Sequence, residues 1–215
     1  MTAPTAPRVR RVLTTAEWMR RSASSADLLS EPERLRAQRF RREDDRLDFI
    51  AAHLLAREVV AELLGVASGE VHLAQSCPDC GADDHGPPHV SVPGRPGAFT
   101  SWSHSAGRIG AVAALAPVGF DLERVTSDRS VTEAGVHVLS PGESAQVREA
   151  ADPRVAFLHW WTRKEALVKV GAIVLDDFGG TDLSGHPDRW GSWALSSWHD
   201  RRNDVVAAVA MTPGS

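Results

Sequence analysis

The chain has 215 residues, with 24 basic against 28 acidic side chains and 42% hydrophobic residues. That length buries a core without disulfide or metal staples, and the mildly acidic balance excludes a broad basic face for nucleic acid. No apolar run reaches the roughly 20 residues of a membrane span, and "MTAPTAPRVRRVL" lacks the apolar stretch of a secretory signal, so a cytoplasmic protein with no membrane partner is expected.

Residues 1–13 are rich in Pro and Arg and read as a loose arm or a first edge strand. In "SEPERLRAQRF", Ser30 followed by Glu33 is the pattern in which both side chains satisfy backbone donors at a helix start, so a helix begins near Glu31. "DDRLDFIAAHLLAREVVAELLG" spaces Leu47, Ile50, Leu54, Val59 and Leu63 broadly as a helix does and stops at Gly65. "SCPDCGADDHGPPHVSVPGRPGAFT" is so crowded with Gly, Pro and Asp that it reads as one long loop. The apolar runs Ile109 to Leu115 and Val118 to Leu122, parted by Ala116 and Pro117, predict a β-hairpin. Ser140, Pro141 and Glu143 open another helix, and a third runs from about Val155 to Val170. "RWGSWALSSWHD" and "DVVAAVAMT" close the chain as two strands. This order fits an α+β layout, with Pro117 as its midpoint.

Three stretches carry chemistry. "GFDLE" sets Asp121 and Glu123 two apart on a strand, where alternation sends both carboxylates to one face; that suits either a solvated strand end or a hard cation. In "HWWTRKEALVKVGA", Trp161, Lys164, Glu165 and Val168 share one helical face and Lys169 stands a turn beyond Glu165. As a surface pair, Glu165 and Lys169 would add only a few tenths of a kcal/mol; as a third carboxylate, Glu165 would complete an oxygen set for magnesium. "SWSHSAG" offers the hydroxyls of Ser103 and Ser105, the His104 imidazole and backbone donors, a small cradle for a phosphate. Adjacent residues on an extended chain point apart, which discounts a Ser-His nucleophile pair.

In this order and spacing, Ser103 to Ser105, Gly119 to Glu123 and Trp161 to Lys169 resemble the surfactin-type 4'-phosphopantetheinyl transferases, whose hallmarks are an S-H-S-like segment, G-x-D-x-E, and W-x-x-K-E with a lysine four residues on. The resemblance runs from Arg34 to Val170. It implies two similar pseudo-twofold related α+β halves, each a small antiparallel sheet packed with helices. The coenzyme-binding elements would lie in residues 1–116 and the metal-binding carboxylates in 117–215. It implies transfer of the phosphopantetheine arm of coenzyme A to a serine of an acyl or peptidyl carrier protein by a monomeric enzyme, with release of 3',5'-ADP. Asp121, Glu123 and Glu165 would hold Mg2+, Lys169 would neutralise phosphate charge, and Ser103 and His104 would contact the coenzyme's phosphates. Arg36 aligns with a basic residue that reaches the 3'-phosphate.

The chain departs from that pattern at two places. Pro87 stands where the family commonly has a lysine, a loss that either weakens coenzyme affinity or is offset by a nearby arginine such as Arg95, and Ser101 stands where many relatives have asparagine. Cys77, Cys80, His85 and His89 have spacings that suit zinc or, as the preferred reading, a loop with free thiols. Two rival functions use the same residues. A magnesium-dependent phosphodiesterase or nuclease would call for a basic substrate face, which this composition does not favour, and a zinc-knuckle interaction module leaves the carboxylates and Lys169 without a task.

Overall fold

The computed structural model describes residues 9–22, 26–78, 80–125 and 138–212. Most of the expected N-terminal arm lies outside them. The chain is α+β and divides into two compact units, one within Pro7–Val118 and the other within Gly119–Ser215.

The first unit runs β1 (Val9–Thr14), α1 (Thr15–Arg21), α2 (Glu31–Ala37), α3 (Glu43–Leu64), β2 (His72–Gln75), β3 (Pro88–Ser91), β4 (Phe99–Ser105) and β5 (Arg108–Ala114). Its main sheet has the order β1-β5-β4, with both pairings antiparallel, so β1 is the expected edge strand. Helix α3 lays Ala52, Leu55, Ala56 and Val59 against Ile109, Ala111 and Ala113 of the central strand, all of them buried. It ends at Gly65, whose φ of 65° is open to glycine without the clash a Cβ would bring.

The hairpin predicted from Ile109 to Leu122 does not form. β5 turns back on β4, through Ala106 (φ 45°) and Gly107 (φ 79°), a pair of left-handed residues that matches the twist of a two-residue hairpin. The Asp48 carboxylate secures that turn, accepting from the Gly107 amide at 2.7 Å. An alanine at positive φ gives no turn signal, so the sequence hides this hairpin and suggests one across Pro117 that joins different sheets. The long loop is also interrupted. β3 pairs antiparallel with β2, Leu73 opposite Val90, and β4 begins at Phe99. β3 is only four residues long and starts on a proline, which defeats a periodicity test.

The second unit contains β6 (Val118–Arg124), α4 (Pro141–Glu149), α5 (Pro153–Lys169), β7 (Arg189–Trp190), β8 (Trp193–Asp200) and β9 (Val205–Met211). The strand order is β6-β9-β8-β7, with β8 antiparallel to both β7 and β9. Every residue of β9 is buried, which explains its unbroken apolar sequence. Helix α5 contributes Phe157, Leu158 and Leu167 to a core shared with Val206, Ala208 and Ala210.

Candidate active site

Asp121 and Glu123 stand on β6 with 5% and 8% of their surface exposed. Carboxylates are rarely this buried unless something offsets their charge. For Asp121 that partner is Lys169, at the last position of α5, whose Nζ donates to Asp121 Oδ1 at 2.9 Å and to the Phe120 carbonyl at 2.8 Å. Glu165 lies one helical turn before Lys169 and is half-buried.

Gly119 explains why strand and helix come this close. A Cβ at that position would overlap the Ala166 carbonyl and crowd the Val170 side chain. The glycine that opens "GFDLE" therefore lets the backbone of α5 rest directly on β6, and this brings Lys169 within reach of Asp121.

The lysine and tryptophans around Glu165 have other tasks. Lys164 points into the interior, with no exposed surface, and donates to Glu143 Oε2 at 2.6 Å, the Phe178 carbonyl at 2.6 Å and the Val138 carbonyl at 2.8 Å. Burial pulls its pKa down from the ordinary lysine value, while Glu143 opposes that fall. Glu143 also closes the capping box of α4 through the Ser140 amide at 2.9 Å and accepts from the Leu183 amide at 3.0 Å. Trp160 is core and carries Arg163 over its ring at 4.9 Å, whereas Trp161 packs between Phe157 and Phe178. The sequence gives no signal for the Glu143–Lys164 pair, because its members are 21 residues apart.

Two of the candidate residues of the first unit, Arg36 and His104, meet at one ring. His104, near the end of β4, meets Phe49 edge-on at 6.5 Å between centroids, and the Arg36 guanidinium lies 5.7 Å from the same ring. Ser103 faces Gly110 in the ladder and His104 faces Ile109. Arg36 also donates to the Asp84 carbonyl and, with Arg39, Phe40, Asp84 and His85, lines an open groove of about 510 Å³. Pro87 is exposed, and Arg95 donates to the Gly65 carbonyl at 3.4 Å. Beneath this surface Glu33 takes a two-pronged bond from Arg57, at 3.0 and 2.7 Å, and a third from His53 Nδ1 at 2.7 Å. Burial alone would raise the Glu33 carboxyl, but those partners bring it down to about 2.

Carboxylate oxygens are the donors a hard cation takes, and at Asp121 the Lys169 ammonium supplies compensating positive charge. Asp121 and Glu123 come from the strand and Glu165 from the helix resting on it. Among the described residues, the group whose donor atoms all lie within 4.8 Å of one another is a different one, Cys77, Cys80 and His85.

Residues 117–210 match the family model of the 4'-phosphopantetheinyl transferase superfamily, which supports a transferase. The match spans Asp121, Glu123, Glu165 and Lys169, while Arg36, Ser103 and His104 lie outside it. No curated protein matches the chain. No described helix is long and apolar enough to cross a membrane.

Proposed function

We propose that this protein transfers the 4'-phosphopantetheine arm of coenzyme A to a serine hydroxyl of an acyl or peptidyl carrier protein, releasing 3',5'-ADP. The observation that carries this reading is the Lys169–Asp121 contact on the Gly119 platform, inside the stretch that matches the superfamily model. Asp121, Glu123 and Glu165 are the residues that would hold Mg2+, which supplies charge neutralisation at the pyrophosphate when bound. Lys169, partly exposed at the end of α5, would exchange its carboxylate for a phosphate oxygen, and there it would stabilise the negative charge that grows as the leaving group departs.

Arg36, Ser103 and His104 are assigned to the coenzyme's phosphates. Arg36 lines the groove of its own unit, and a guanidinium there suits a phosphate monoester. The enzyme would act as a cytoplasmic monomer on carrier proteins or carrier domains. The test is intact mass of apo carrier proteins incubated with the enzyme and coenzyme A. The expected result is a gain of one phosphopantetheine that requires a divalent cation. Hydrolysis of a phosphodiester or nucleic acid, with every carrier protein left unmodified, would replace this reading with the phosphodiesterase one.

A further inference from the structure

The loop between β2 and β3 holds a second cluster of donors, remote in chemistry from the carboxylates. One ligand atom from each of Cys77, Cys80 and His85 lies within 4.8 Å of the others, and Cys80 Sγ is 3.4 Å from His85 Nε2. Neither cysteine is in a disulfide. Two sulfurs and an imidazole form a borderline-soft set, the kind that selects zinc over magnesium.

The backbone is shaped to keep these atoms together. The Cys77 amide donates to the Ala82 carbonyl at 2.8 Å, and the Gly81 amide donates to the Cys77 carbonyl at 3.0 Å. Gly81, directly after Cys80, has φ 72°, so the chain doubles back on the first cysteine. Gly86 has φ 98°, and a Cβ on it would sit 2.5 Å from the Ser76 carbonyl oxygen and 2.8 Å from the Cys77 Cα. Only glycine lets the two ends of the loop touch at that point, and the touch sets His85 beside the thiols.

The histidine is also oriented from behind. Asp84 Oδ1 lies 2.8 Å from His85 Nδ1, a contact that suits a proton on Nδ1, and Nε2 is the ring nitrogen that faces Cys80. Arg39 holds the other Asp84 oxygen at 2.7 Å, and Arg36 holds the Asp84 carbonyl. A carboxylate that steadies the far nitrogen of a histidine is the usual outer support of a zinc ligand. None of this is required by a loop of free thiols.

We infer that Cys77, Cys80 and His85 bind one Zn2+, with Asp84 orienting His85 and an external ligand completing the tetrahedron. His89, the fourth donor suggested by the sequence, sits exposed on β3 opposite Ala74 and is not in the cluster. On binding, each thiol releases its proton to solvent, two Zn–S bonds and one Zn–N bond form, and nothing is oxidised. The ion fastens the loop that carries Asp84 and His85, two walls of the groove that Arg36 lines. This inference stands apart from the transferase reading, since it uses none of the carboxylates assigned to Mg2+.

The test is metal analysis of the full chain purified under reducing conditions without chelator, followed by replacement of the metal with Co2+. One zinc per chain is expected, together with cobalt d–d bands of tetrahedral intensity and a thiolate-to-cobalt charge-transfer band. Cys80→Ser and His85→Ala should abolish the charge-transfer spectrum or weaken binding strongly, and Asp84→Asn should weaken it about 10- to 100-fold. Asp121→Ala should leave zinc content unchanged. Cys80 is exposed, so Cys80→Ser keeps the fold and remains interpretable even if a Cys77 variant does not fold. Fully reduced wild type that takes up neither metal, a Cys77–Cys80 disulfide, or zinc binding indifferent to Cys80→Ser would each overturn the site.

Discussion

The Lys169 ammonium lies 2.9 Å from Asp121 Oδ1, so in the protein alone a lysine neutralises the carboxylate assigned to a metal. This relationship makes a prediction about competition. Lys169→Ala removes the ammonium that faces the buried Asp121 carboxylate, so stability should fall by about 1–2 kcal/mol. Added Mg2+ should then restore more stability in the variant than it adds to wild type, because the ammonium no longer contests the oxygen. Thermal melts with and without Mg2+ check this. Equal Mg2+ shifts in both proteins would show that Lys169 and the cation do not share Asp121.

Catalysis should respond differently from stability. Lys169→Ala should lower kcat/KM for carrier modification by about 10²- to 10³-fold, the scale for losing one group that meets developing charge. Asp121→Ala, Glu123→Ala and Glu165→Ala should each cost about a hundredfold or more. Steady-state rates at saturating Mg2+ measure both, and full activity in Glu165→Ala would remove it from the set. His104→Ala should raise KM for coenzyme A more than for dephospho-coenzyme A, and equal losses on the two would sink a 3'-phosphate role.

The other lysine of the same helix should show the reverse pattern. Lys164→Met leaves Glu143 buried with its charge unmatched, which should cost about 3–5 kcal/mol in urea unfolding. Adding Glu143→Gln should recover part of that loss, because the stranded charge is then gone. If Lys164→Met unfolds at the wild-type denaturant concentration, the buried pair carries no stability.

Gly119→Ala tests the strand–helix approach. The added methyl must push α5 away from β6, at about 1–3 kcal/mol, and should lower kcat/KM through Lys169 without touching a charged group. Wild-type activity in that variant would show that the close approach has no bearing on the site.

Acid should destabilise the protein in two steps. His159, whose imidazole meets Ser197 Oγ at 2.8 Å, is held down to about 4 by burial and by the nearby Arg163 and His199. The unfolded chain takes up that proton first, so stability falls as pH drops from 6.5 toward 4. Glu33, held at about 2, contributes stability that is whole above 4.5 and is lost as pH falls toward 2, by about 3 kcal/mol in all. Urea midpoints measured from pH 7 to 3 should decline through both ranges, and His159→Gln should flatten the first.

How far the sequence could be read depends on the range of each interaction. The helix starts at Ser30 and Ser140 were legible because a capping box lies within four residues of chain. In both units, however, the capping glutamate has a second and longer-range partner on the following long helix: Glu33 holds Arg57, and Glu143 holds Lys164. A local pattern cannot announce a partner more than 20 residues away. The β4–β5 hairpin was hidden for a different reason, since its turn uses an alanine at φ 45°, and the Asp84 support behind His85 depends on side-chain orientations that residue order does not carry. Asp121, Glu123, Glu165 and Lys169 could be picked out as candidates because strand and helix periodicity fix which side chains share a face. The Lys169–Asp121 contact could not, since it depends on a glycine admitting a helix.

Lys164 also settles the rotational setting of α5. Its ammonium has three oxygen partners in the interior, and a turn of the helix about its own axis would pull it off all three. Successive residues of a helix point about 100° apart, so fixing one bearing fixes those of Glu165 and Lys169 as well. The helix is thus clocked from within the core. A substitution that loosens the Glu143–Lys164 anchor would misalign the outward-facing groups like a gear slipped by a tooth, and would register as lost activity in a protein whose acidic strand is intact.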